Sequence, residues 1–107
     1  MSDTSSISSG VAARYATALF DLAKEADKLS ALEADLDTLD VALTNNESLR
    51  DLFNSPVYSR DELMNSVSAL SAKMKLSSIV SNTLGLMAQK RRLQVVPMLI
   101  DAVRTKI

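Results

Sequence analysis

Hydrophobic residues recur along this chain at intervals of three and four, the spacing that places side chains on one face of an α-helix. The clearest run is at residues 29–43, where leucines occupy positions 29, 32, 36, 39 and 43 and acidic residues fall between them. A narrow apolar seam of this kind is typical of a helix that packs one face against a core. We therefore expect residues 29–43 to form a one-sided bundle helix.

Two other segments have apolar surface on more than one side. In residues 11–28 the polar positions fall within an arc of roughly 100°, which leaves an apolar arc of about 220°. Residues 79–92 carry two apolar rows about a quarter turn apart. The first row is Val80, Leu84, Met87 and Ala88, and the second, semi-polar row is Ile79, Thr83, Leu86 and Lys90. Each segment therefore needs cover on two sides. Either it lies at the centre of the bundle, or one of its sides packs against another molecule.

Turn and cap signals divide the middle of the chain. Asn45 and Asn46 interrupt the leucine pattern, and apolar residues at 49, 52 and 53 predict a short helix that stops before Pro56. Ser59 and Glu62 then have the spacing of a capping box, in which each side chain pairs with the backbone N–H of the other. A fourth helix is therefore expected from this point to about residue 73.

The two ends of the chain carry weaker signals. Residues 1–10 are small and polar, so we expect a flexible N-terminal arm there. Residues 93–107 predict a last helix, provided that Pro97 lies in its first turn. The chain then stops without a C-cap signal, which predicts a boundary to a further domain. Together the segments predict an all-α fold, a compact six-helix bundle over residues 11–107.

Composition excludes most enzyme chemistry. The 107 residues include no cysteine and no histidine, and 47% are hydrophobic. Thiolate and imidazole metal sites, cysteine nucleophiles and histidine general bases are thereby excluded, and no phosphate-binding glycine loop is present. We expect no catalytic residue, no cofactor and no metal site. No apolar run reaches the roughly 18 residues of a membrane span, so no direct membrane insertion is expected.

One acidic cluster, Asp35, Asp37 and Asp40, suggests calcium. An EF-hand loop that started at Asp35 would need an oxygen ligand at position 39, glycine at position 40 and glutamate at position 46. Leu39, Asp40 and Asn46 stand at those positions, so all three requirements fail. We interpret the cluster as a solvated acidic face of a helix.

The net charge of −1 hides an asymmetry along the chain. Residues 1–62 carry five Lys/Arg against twelve Asp/Glu, and residues 63–107 carry seven against one, which gives net charges of −7 and +6. Complementary faces within the bundle are the simplest interpretation. The cluster Lys90-Arg91-Arg92 lacks interleaved aromatics and lies at a predicted helix end, where cations interact favourably with the helix dipole. A structural or partner-contact role is preferred over phosphate binding.

Two stretches carry a family signature. Residues 13–23 read ARYATALFDLA, and residues 87–97 read MAQKRRLQVVP, an apolar helix that runs into an arginine-leucine pair and then a proline. Both resemble the delta subunit of rotary ATP synthases, whose mitochondrial relative is the oligomycin-sensitivity-conferring protein. The likeness extends over residues 11–107. It departs from the family pattern at Arg91, where many relatives have glycine, and at Val96, where leucine is usual.

The resemblance implies a non-catalytic stator subunit. Its N-terminal domain is a six-helix bundle, monomeric when isolated, that binds the N-terminal helix of one alpha subunit between helices 1 and 5. A C-terminal domain, absent from this chain, joins the peripheral stalk b subunits at the cytoplasmic face of the bacterial inner membrane. Carried over by position, the groove residues are Tyr15, Ala18, Leu19, Leu22, Ile79, Thr83, Leu86 and Lys90, and the core residues are Phe20, Val80, Leu84 and Met87. A charge at Leu19 or Leu86 is then expected to abolish docking without unfolding the domain.

Two other classes of function stay open on the residues alone. One is a free-standing helical module with an unrelated protein partner. The other is a nucleic-acid binder with a basic surface formed by Lys73, Lys75, Lys90, Arg91 and Arg92. The resemblance, by contrast, implies no nucleic-acid partner. A phosphate-dominated interaction weakens steeply as salt rises, whereas an apolar groove changes little.

Overall fold

The structure, a computed structural model, describes residues 3–107, and these residues form six α-helices and one short 3-10 helix, with no strand. The α-helices are α1 Asp3–Glu25, α2 Leu29–Asn45, α3 Glu47–Asn54, α4 Arg60–Met74, α5 Ser78–Gln89 and α6 Val96–Lys106, and the 3-10 helix Leu93–Val95 leads into α6. The expected all-α, six-helix architecture is confirmed. None of the helices within residues 3–107 combines the length and the apolar character that crossing a bilayer requires.

The first helix, α1, organises the bundle. It packs chiefly against α6 and also contacts α2, α5 and the 3-10 helix. Its buried face is largely alanine (Ala12, Ala16 and Ala23), and such small side chains let a neighbouring helix come close. The leucine seam predicted for α2 is confirmed, because the leucines at 32, 36, 39 and 43 are all buried in the common core.

The start of α1 differs from the prediction. The hydrophobic pattern places it at Val11, but α1 begins at Asp3, so the predicted flexible arm is helical from that residue onward. Met1 and Ser2 lie outside the described residues. Extending an existing helix is far easier than nucleating one, and residues 3–10 contain no proline to stop it. The spacing of apolar residues does not predict this extension, because residues 3–10 are mostly polar.

Side-chain caps begin α3, α4 and α5. Ser59 Oγ accepts the Glu62 N–H at 3.1 Å, and Glu62 Oε1 accepts the Ser59 N–H at 2.8 Å, which confirms the capping box predicted for α4. Asn46, interpreted from the sequence as a breaker, also caps α3, since its Oδ1 accepts the Leu49 N–H at 3.1 Å. Pro97 lies in the first turn of α6, as the pattern requires.

Three helices end in a left-handed residue that is not glycine. Asp27, Lys75 and Arg91 follow α1, α4 and α5 with φ values of 58°, 56° and 57°. After α5 the Arg92 N–H returns to the Met87 carbonyl at 2.7 Å, and equivalent bonds close α1 and α4. This pattern satisfies carbonyls that the helix end would otherwise leave unpaired. Arg91 therefore adopts a backbone conformation that glycine reaches at lower cost.

Asp35 connects α2 to the start of α5. The residue is buried, and its Oδ2 accepts the Ser77 N–H at 2.8 Å. Ser77 is the N-cap of α5, so the carboxylate lies beside the positive end of that helix dipole. The interpretation of Asp35 as part of a solvated face is therefore wrong. Spacing within α2 does not reveal this role because the partner lies 42 residues away.

Arg104 joins the acidic and basic halves of the chain. Its guanidinium contacts Asp37 Oδ1 at 2.8 Å and Asp40 Oδ2 at 2.9 Å. The hydrogen bonds that the guanidinium donates to Asp40 and then to Asp37 raise the pKa of Arg104 above its ordinary value. The complementary faces expected from the charge asymmetry are confirmed at this contact between α6 and α2.

Replacing Asp35 with alanine is expected to lower the free energy of unfolding by about 1–3 kcal/mol, because the charge-assisted hydrogen bond to the start of α5 is lost. Urea denaturation followed by circular dichroism measures the change. Asp51→Ala, at an exposed position on α3, is the matched control and should stay within about 0.5 kcal/mol of the parent. Equal losses in the two variants would contradict the capping role.

The capping box at Ser59 should make part of the stability depend on pH. Hydrogen bonds from the Ser59 backbone and side chain lower the pKa of Glu62 below its ordinary value. A carboxylate of this kind stabilises the fold above its unfolded-state pKa, about 4.3, and loses that contribution as the pH falls through the folded-state pKa. Glu62→Gln should therefore flatten the decline in thermal midpoint between about pH 6 and about pH 3. Parallel midpoint curves for parent and variant would contradict this.

Candidate functional site

The helix α1 carries a lengthwise row of apolar residues, here called the α1 row: Ile7, Val11, Tyr15, Ala18 and Leu22. Ile7 and Leu22 are 66% and 52% exposed, and Ala18 is exposed as well. Tyr15 is half-buried against the core, and Val11 is buried. Aliphatic side chains that stay in water along one helix face are typical of a contact surface. The sequence prediction missed Ile7, although it lies four residues before Val11 on the same face.

Two assignments on α1 are reversed in the structure. Leu19, expected on the groove surface, is only 1% exposed and belongs to the core. Phe20, expected in the core, is only half-buried. Neighbouring residues of a helix lie about 100° apart, so a small error in the rotation of α1 exchanges the two. Because α1 is apolar around most of its circumference, its pattern does not define that rotation.

The predicted second row of α5, here called the α5 row, is Ile79, Thr83, Leu86 and Lys90. Ile79 and Thr83 are half-buried, Leu86 is 42% exposed, and Lys90 is exposed just beyond the last turn. Thr83 Oγ1 donates to the Ile79 carbonyl at 2.9 Å, so the hydroxyl is satisfied within the helix. The row thus presents mainly hydrocarbon until it reaches Lys90. The core assignment of Val80, Leu84 and Met87 is confirmed.

A different side of α5 faces α4. There Ser81, Asn82 and Gly85 line a groove of roughly 650 Å³ together with residues of α4 and the following turn. A Cβ at Gly85 would meet no atom within 4 Å, so no close helix approach requires the glycine. Ser71, in the same groove, is buried, and its hydroxyl has no hydrogen-bond partner. This groove was not anticipated because its apolar and small polar residues come from two helices, and the spacing within either helix does not bring them together.

A depression at the C-terminal end of α5 is lined by cations. Its volume is roughly 380 Å³, and its lining residues are Arg60, Leu86, Gln89, Lys90 and Arg92. We call Arg60, Lys90 and Arg92 around Leu86 the basic cup. Sequence analysis singled out residues 90–92, but Arg60 comes from the start of α4 and only the fold brings it to this place. Leu86 belongs to both the α5 row and the basic cup.

Comparison with known proteins identifies the family. The family model for the ATP synthase delta (OSCP) subunit matches residues 11–107, which include most of the α1 row and the whole of the α5 row. The chain belongs to that family. Proteins named ATP synthase subunit delta are 53% identical in Dinoroseobacter shibae, 52% in Jannaschia sp. and 51% in Cereibacter sphaeroides, each over 107 residues. These alignments cover all of this delta-family chain and 58% of each relative.

The opposite burial of two leucines on α1 gives a direct test of its orientation. Leu19→Asp places a charge in the core and should lower the free energy of unfolding by about 3 kcal/mol or more. Leu22→Asp leaves the charge in water and should cost less than about 1 kcal/mol, mostly through helix propensity. Denaturant titration of both variants measures the difference. Similar losses for the two variants would show that α1 is rotated differently.

Proposed function

We propose that this chain is the head-docking domain of a non-catalytic stator subunit in a proton-translocating ATP synthase. On this proposal it binds the N-terminal helix of an alpha subunit in a groove between α1 and α5. The observation that carries the proposal is the coincidence of two facts. The family match extends across both helices, and each of them keeps an apolar row partly exposed after the bundle has formed its core.

The packing of α5 supports a groove on this side. α5 contacts both α4 and α1. α4 takes the side with Ser81 and Gly85. On the proposal, α1 lies towards the side with Ile79 and Thr83, which are half-buried. The groove then has Tyr15, Ala18 and Leu22 on one wall and Ile79, Thr83, Leu86 and Lys90 on the other. Leu19 lies beneath it in the core and is not a wall residue.

The shape of the two rows fits an amphipathic helix. Such a helix places apolar side chains at i, i+3, i+4 and i+7 into a groove. Ala18 and Thr83 are small, which lets the backbone of the guest helix come close, while exposed Leu22 and Leu86 offer apolar area that docking would remove from water. Burying an aliphatic side chain contributes about 1.5–3 kcal/mol, so two such residues supply a large part of a stable docking energy.

The stator role requires binding and no chemistry. A subunit that holds the catalytic head against the torque of a rotor needs a surface that stays docked, and two apolar rows on a packed bundle would meet that need. The peripheral-stalk contact would belong to a part of the subunit outside the present chain, which spans 58% of its relatives. Attachment to the stalk would keep the protein at the cytoplasmic face of the membrane.

Docking should fail when either row receives a charge. Leu22→Glu and Leu86→Glu are each expected to weaken binding of an alpha N-terminal peptide by roughly 30-fold or more, the equivalent of one lost leucine contact. Isothermal titration calorimetry measures the affinity, and circular dichroism should show an unchanged fold because both side chains are exposed.

The matched control is Val41→Glu on α2, a 59% exposed valine that belongs to neither row. It should bind the peptide like the parent. If Leu22→Glu and Leu86→Glu also retained the parent affinity, the groove assignment would be wrong. A peptide that failed to bind the parent protein at all would reject the docking function itself.

A further inference from the structure

We propose that the basic cup recognises carboxylates on the docked helix and thereby decides which end of that helix lies over the C-terminus of α5. This inference rests on the proposed docking function and deepens it, because it specifies the charge of the partner at one end of the groove. The argument starts from what the cations of the chain do within the fold.

Two arginines elsewhere have structural partners. The Arg50 guanidinium caps the end of α2 and donates to the carbonyls of Leu43 and Thr44 at 2.6 and 2.8 Å. Arg104 pairs with two aspartates on α2. Among the described side chains, Arg104 is the cation that forms ion pairs. The cations of the basic cup make neither kind of contact within the described part of the chain. No side chain or carbonyl among the described residues therefore pairs with these three cations.

The helix dipole accounts for only part of the cluster. Lys90 and Arg92 lie at the negative end of α5, where a cation is favourable. The last carbonyls there already have backbone partners, for example Leu86 O with the Lys90 N–H at 3.1 Å. Arg60 is the first residue of α4, at the positive end of that dipole, where a cation is unfavourable. An anion bound from outside the bundle would interact favourably with all three cations.

The position of the basic cup specifies the kind of anion. Leu86 lies in the cup and also belongs to the α5 row, so an amphipathic helix that follows the row ends among these cations. Carboxylates at that end would pair with arginine in the planar geometry that guanidinium favours. At an exposed rim such pairs chiefly affect the association rate and the salt dependence, while apolar contacts hold the complex together.

The test uses two versions of an alpha N-terminal peptide, the natural sequence and an amide version in which every Asp and Glu is changed to Asn or Gln. Affinities for the parent protein are measured at about 50 mM and about 300 mM NaCl. The natural peptide should bind about three- to tenfold more tightly than the amide version at low salt, and the two should converge at high salt. A double variant, Lys90→Gln with Arg92→Gln, should bind the natural peptide more weakly than the parent protein by the same factor. Its affinity for the amide version should be unchanged.

A second double variant, Lys73→Gln with Lys106→Gln, removes the same net charge elsewhere. Lys73 lies 13 residues, roughly 20 Å, along α4 from Arg60. This control should retain the preference for the natural peptide. Equal affinities of the two peptides, or equal effects of the two double variants, would overturn the basic cup while leaving the groove intact. If the parent protein bound neither peptide, both proposals would be rejected.

Discussion

The packing of α1 is the constraint on which the rest of the structure depends. Its alanine-rich face allows α6 to come close, and the same helix contacts α2, α5 and the 3-10 helix. A cylinder that is apolar over most of its circumference needs cover on several sides. The bundle supplies that cover along Leu19 and the alanines but leaves Ile7, Ala18 and Leu22 in water. The core and the candidate docking surface are thus two sides of one helix.

The helix ends show how a chain with two glycines forms six short helices. Left-handed residues that are not glycine close α1, α4 and α5, and serine or asparagine caps begin α3, α4 and α5. Arg50 reaches back to the last carbonyls of α2. A non-glycine residue in the left-handed region costs roughly 1–2 kcal/mol. At each of these three helix ends, the surrounding hydrogen bonds and packing offset that cost. The connections between these helices are consequently short and well defined.

The acidic cluster on α2 is paired within the fold, whereas the basic cluster around Leu86 is open to solvent. On α2, Asp35 serves the start of α5, while Asp37 and Asp40 bind Arg104 on α6, so this acidic cluster is paired within the fold. The cations around Leu86 have no such partners among the described residues. The bundle pairs its acidic cluster internally and leaves a basic one open to solvent, and the proposed recognition of carboxylates rests on this difference. The apolar α5 row and the basic cup then form one continuous surface.

The sequence by itself determined the fold class, the positions of α2 to α6 to within a few residues, the capping box and most of the core. These features are local, because spacing of three and four, caps and prolines act within a turn or two of helix. It also identified the two helices that carry exposed apolar rows. The rotation of α1, which buries Leu19 and half-exposes Phe20, was decided only by the tertiary structure, since a helix that is apolar nearly all round has no preferred inward face. The same holds for Asp35 at the start of α5 and for Arg60 beside Lys90, because contacts between residues 30 or more positions apart depend on how the helices pack.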